Sequence, residues 1–166
     1  IITWKDTGYD YKIVPPGRDP DFETGDTSPA GFNLNHPGGF GTRYRNGQCP
    51  LNNPVDARTR WVPPIGTTGT TDMLIRKKFN VPVEASNMEV NVAVDGFAKV
   101  FINGLEVTDA ISVHPQECAD RPDFIFSVPD HFLKLGASNV LAVRGTDATP
   151  SITYLDVNVT IDFCKT

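Results

Sequence analysis

Apolar and polar residues alternate with a period of two through much of the second half of this chain. Met88, Val90, Val92 and Val94 alternate with Glu89, Asn91 and Ala93, the spacing that buries one face of a strand. Asp95-Gly96 follows as a turn dipeptide, and Phe97 to Ile102 reads as the next strand. Asn103-Gly104, a pair that accepts positive φ at both central positions of a type I′ turn, leads into Leu105-Glu106-Val107 as a return strand. The pattern predicts a three-stranded antiparallel meander around which the remaining strands are arranged.

Similar signals flank it. Met73 to Val81 reads as a strand stopped by Pro82. Phe124, Phe126 and Val128 alternate with Ile125 and Ser127, residues 130–134 suit one helical turn ending at Gly136, and Asn139 to Gly145 reads as a strand. In the last strand Thr153, Leu155, Val157, Val159, Ile161 and Phe163 share the buried face. Tyr154, Asp156, Asn158, Thr160 and Asp162 share the wet one. Short strands separated by Gly/Pro turns predict an all-β fold, a two-sheet antiparallel β-sandwich of the jelly-roll kind.

Residues 1–70 differ in character. They hold nine of the 14 prolines and ten of the 14 glycines, so beyond strands at Ile1–Lys5 and Asp10–Val14 they read as long loops. Phe22, Phe32, Phe40 and Tyr44 argue that these loops are packed, since disordered segments are poor in aromatics. At 166 residues the chain suits one sandwich domain over 1–166, with 1–70 loop-rich and 71–166 built of regular strands.

The net charge of −5 argues against nucleic acid, which usually meets a basic stripe. No apolar run reaches the length of a membrane span, so no membrane insertion is expected. The chain begins at Ile1 with no charged, apolar leader ahead of it, which reads as a removed signal or a trimmed chain. Cys49, Cys118 and Cys164 form neither a CxxC pair nor a zinc spacing. In an extracellular chain Cys49 and Cys118, both in polar loop-like surroundings, are the expected disulfide, with Cys164 free or joined to another subunit. Three reduced thiols in a cytosolic protein are the alternative.

Several stretches together resemble a known pattern. They are Phe40-Gly41-Thr42, the run Thr71 to Phe79 (TDMLIRKKF), Val94 to Gly104 (VDGFAKVFING), His114 to Cys118, Val128-Pro129, Leu135-Gly136, and Asn139 to Arg144 (NVLAVR). Over about residues 40–160 the chain resembles bacterial extracellular galactose-binding-domain-like jelly-roll modules, similar to the sugar-binding domain of family 2 glycoside hydrolases. The resemblance implies a non-catalytic, secreted or surface β-sandwich, often glycan-binding. It also implies a structural calcium (Ca2+) between the first strand region and the last strand, at Asp156 with Asp6 or Asp10 as partners. A solvated, outward Asp156 is the plain alternative.

No enzyme motif is present, and His36, His114 and His131 sit in loops with no cue for a neighbouring nucleophile. The acidic pairs Asp19/Asp21 and Asp120/Asp123 read as turn formers. Glycan binding needs aromatic faces beside planar polar groups. Trp61 and Tyr44, with Arg43, Arg45 and Asn46 nearby, are the expected contacts, Trp61 as an exposed platform and the loops of residues 18–65 as the surface. Trp4 reads as strand packing. Asn158-Val159-Thr160 is a glycosylation sequon on the outward face. The expected partner is a glycan or cell-surface polysaccharide outside the cell. A different class stays open: a filament subunit that joins other copies of itself by exchanging a terminal strand.

Overall fold

The computed structural model describes residues 1–41, 58–61, 69–95, 97–108, 125–146 and 154–163. Within them the strands are β1 (Tyr9–Val14), β2 (Asn33–His36), β3 (Phe40–Gly41), β4 (Thr59–Arg60), β5 (Asp72–Val81) and β6 (Ala85–Asp95). They continue as β7 (Phe97–Ile102), β8 (Leu105–Glu106), β9 (Ile125–Ser127), β10 (Ala137–Thr146) and β11 (Tyr154–Phe163). One sheet has the order β2-β1-β5-β10-β7-β8 and the other β4-β3-β11-β6-β9. Pairing is antiparallel except between the two-residue strands β3 and β4. The protein is an all-β, two-sheet sandwich.

The core lies where the period-two pattern puts it. Val90, Val92 and Val94 of β6 and Leu155, Val157 and Val159 of β11 face Met73, Ile75, Val100, Leu141 and Val143 of the other sheet, all fully buried. β11 pairs with β6 along most of its length, so the alternation of one strand is held in register by the other. At its far end the expected burial fails, with Ile161 half-buried and Phe163 exposed beyond an irregularity between Thr160 and Asp162.

The meander is corrected. β6 and β7 lie in different sheets, so the two strands do not pair as the expected hairpin. Asn103-Gly104 does close one, between β7 and β8, with φ of 51° and 80°. The expected strand at residues 1–5 reduces to a single bridge between Ile2 and Val159, and Trp4 sits half-buried in a turn.

Residues 15–32 are packed, as their aromatics imply. Phe22 and Phe32 join Val14, Leu74 and Ala142 in a second apolar cluster on the outer face of the six-stranded sheet. Two arginines of that face hold the loop down. Arg76 donates from Nη1 to the carbonyls of Phe22 and Thr24 at 2.6 and 2.7 Å, and from Nη2 to Gly25. Arg144 pairs with Asp72 at 2.6 Å, donates to the carbonyls of Arg18 and Asp19, and stacks over the Phe22 ring. The Arg of TDMLIRKKF and the Arg of NVLAVR therefore fix backbone that has no strand partner of its own.

A pair of asparagines does the same at the sandwich end. Buried Asn139 accepts from Asn103 Nδ2 (2.7 Å) and the Lys134 amide (2.8 Å), and donates to the carbonyls of Lys134 (2.9 Å) and Ala137 (3.0 Å). Asn103 Oδ1 accepts from the Val140 amide at 2.9 Å. Asn139→Ala strands these partners in a buried site, and a loss of about 2–4 kcal/mol is expected from urea unfolding. A loss under about 1 kcal/mol would show that water replaces the side chain without penalty.

Candidate functional site

The sequence-expected platform is not a surface feature. Trp61 is 1% exposed. Its indole Nε1 donates to Thr71 Oγ1 at 3.0 Å and its backbone amide to the Gly41 carbonyl. The ring packs across Gly145, where an added Cβ would stand 3.3 Å from the indole and 2.9 Å from Leu155. Trp61 is a core anchor, and the sugar-stacking role expected of it is withdrawn. Tyr44, Arg43, Arg45 and Asn46 lie outside the described residues, as do Cys49, Cys118 and Cys164 and with them the expected disulfide.

Asp156 is corrected as well. Period two assigns it to the wet face, yet it is 2% exposed because the N-terminal segment covers that end of β11. Its Oδ2 accepts the Lys5 amide at 2.8 Å and its Oδ1 the Val157 amide at 2.9 Å, with a further amide bond from Gly39. Burial pushes its pKa up to about 7, while the amide bonds and the Lys5 charge oppose the shift. Tyr9, fully buried beside it, is driven well upward by burial and then by the charges of Asp156 and Asp6.

These residues do not fit the expected calcium. The ion takes six to eight oxygens, whereas amide hydrogens are aimed at both oxygens of Asp156. Asp6 accepts the amides of Thr3 and Thr7, and Asp10 accepts Ser28 Oγ at 2.6 Å and the Asn35 amide at 3.0 Å. Among the described residues no three Asp, Glu, His or Cys side chains gather as a metal group would require. Asn158 is half-buried and also engaged, accepting from Asn91 and donating to the Ile2 carbonyl.

An open depression of about 470 Å³ does reach the surface, on the outer side of the six-stranded sheet. It forms where β1 stops. β1 pairs with β5 only from Asp10–Arg76 to Val14–Asp72, while β5 runs on to Val81 against β10. Gly8 and Asp10 border the gap on one side, Asp26, Thr27 and Ser28 on another, and Leu34 and Val140 supply apolar surface. Arg76, Lys77 and Lys78 of β5 complete the lining. Arg76 is committed to the loop carbonyls. Burial lowers its pKa, and the charges of Asp10, Asp26 and Glu23 oppose that shift. Lys77 donates to the Thr7 carbonyl at 2.6 Å and lies over the Tyr9 ring. Lys78 is exposed and has no ion pair among the described residues. The volume falls in the range of small-ligand sites.

This arrangement defines a β-sandwich with a polar, partly apolar depression beside an interrupted sheet edge. No family model and no curated protein matches the chain. Solved glycoside hydrolases do. A β-glucuronidase of Ruminococcus gnavus in complex with C6-substituted uronic isofagomine is 14% identical with a TM-score of 0.54, over 89% of this chain and 22% of that one. The β-glucuronidase of Lactobacillus rhamnosus is 14% identical with a TM-score of 0.54, over 98% of this chain and 33% of that one. A family 2 glycosyl hydrolase of Bacteroides cellulosilyticus gives 14% and 0.50, over 94% and 20%. The chain thus spans about a fifth to a third of the length of these proteins. At such identity the likeness establishes the fold, and the resemblance read from the sequence holds at that level.

Proposed function

We propose that this chain is a non-catalytic carbohydrate-recognition module that works outside the cell. The observation that carries the reading is the fold: nearly the whole chain corresponds to a small part of several sugar-processing enzymes. The depression supports it, offering side-chain donors and acceptors beside apolar surface for the C–H faces of a sugar. A carboxyl raised to about 7 often marks a general acid, but Asp156 is enclosed and bound by amides, so its shift has a structural origin. On a glycan array at least one oligosaccharide is expected to bind, weakened by Asp26→Ala, with no release of reducing ends from the bound glycan. Failure to bind any saccharide defeats the recognition reading, and release of reducing ends defeats its non-catalytic half. The open stretch of β5 beyond β1 favours a second reading, assembly of copies by strand addition. A monomer in light scattering at the binding concentration excludes it.

A further inference from the structure

The polar groups of the depression are unequal in what they leave over for a ligand. Asp10 already holds Ser28 Oγ and the Asn35 amide, Arg76 holds three loop carbonyls, and Lys77 holds Thr7. Two groups stay available. One is the ammonium of Lys78. The other is the carboxylate of Asp26, whose side chain is 82% exposed and 4.0 Å from Lys134. On a chain of net charge −5, three consecutive cations on one strand are a local exception. Strand-edge lysines also discourage edge-to-edge pairing, but that role does not require a walled depression with hydroxyls and an acceptor opposite.

We infer that the depression takes a saccharide bearing one carboxylate, a uronate-type sugar, with the carboxylate on Lys78 and ring hydroxyls on Asp26 and Thr27. Leu34, 65% exposed, and Val140 meet its apolar ring face. One ammonium with no ion pair among the described residues, beside an exposed carboxylate held only loosely by Lys134 at 4.0 Å, suits a ligand with a single anionic group and several hydroxyls. A polyanion would meet Asp10 and Asp26 at like-charge cost. The Arg76 clamp fixes residues 22–25, just before Asp26, so that wall of the site is preorganised. This inference rests on the carbohydrate reading and narrows it to a ligand class.

The test is calorimetry with glucuronosyl-maltose, a trisaccharide carrying a single carboxylate, with its methyl ester and with neutral maltotriose. The acid trisaccharide is expected to bind, about tenfold more weakly after Lys78→Ala and unchanged after Lys99→Ala, a matched charge change on β7. The ester is expected to bind as weakly to wild type as the acid does to Lys78→Ala. Equal affinity for acid and ester, or indifference to Lys78→Ala, overturns the uronate inference. Binding of maltotriose alone overturns it too, while leaving the carbohydrate reading intact. If no saccharide on the glycan array binds either, both fall.

Discussion

Trp61→Ala is expected to lower the unfolding free energy by about 3–5 kcal/mol, the range for emptying a buried Trp site. The indole fills the space over Gly145 and beside Leu155, and its Nε1 satisfies Thr71. Deletion leaves a cavity between two sheets that are anchored by their own ladders and cannot collapse onto it. Urea unfolding followed by circular dichroism reads the loss. Trp61→Phe separates the contributions, keeping most of the volume while abandoning the hydrogen bond, and should cost less. If Trp61→Ala shifts the midpoint by under about 1 kcal/mol, the residue is not the anchor described here. Any loss of glycan binding in Trp61→Ala reports unfolding, so the binding tests use Lys78 and Asp26.

The second large effect is a pH dependence set by Asp156. Its carboxyl titrates near 7 in the folded protein against an ordinary 3.8. Between those values the folded state holds a proton that the unfolded chain has released. Stability from this group therefore falls as pH rises through the window, by up to about 4 kcal/mol in total at ~1.4 kcal/mol per unit. Below the window the contribution is unperturbed, and above it the whole cost of a buried carboxylate is present. Asp156→Asn removes the titration. It also turns an amide toward one of the backbone N–H donors, so it is expected to be less stable than wild type at acid pH. Unfolding free energies of both proteins from about pH 4 to 8 should converge as pH rises. A difference that stays constant across that span would assign the pH dependence to other groups.

How much could be read beforehand depends on whether a residue's fate is local. The valines of β6 and the odd-numbered apolar residues 155–159 carry their burial in their own spacing, and the Asn103-Gly104 turn carries its geometry in two residues. Asp95-Gly96 carries only a change of direction. The same dipeptide serves a hairpin or a crossing between layers, and nothing nearby tells them apart. Trp61 stands among Arg60 and prolines, so its neighbourhood in sequence is polar and stiff. Its partners in space, Thr71 and Gly145, are not part of that neighbourhood. Asp156 obeys its alternation and still ends up enclosed, because residues 1–8 cross that face of the strand. The depression was the least legible element. Its floor comes from a strand motif recognisable in sequence, but its walls come from a loop whose position depends on Arg76 finding three carbonyls.

The place of β11 between β3 and β6 has a consequence for how the molecule is made. On the ribosome the valine-rich strand β6 emerges well before residues 154–163, the partner along its central ladder. Half of the sandwich must wait, apolar side out, until those residues have emerged. Pairings of such long sequence separation close slowly and leave nascent chains prone to sticking. Truncation only a dozen residues short of Thr166 should therefore yield insoluble product rather than a smaller stable fold.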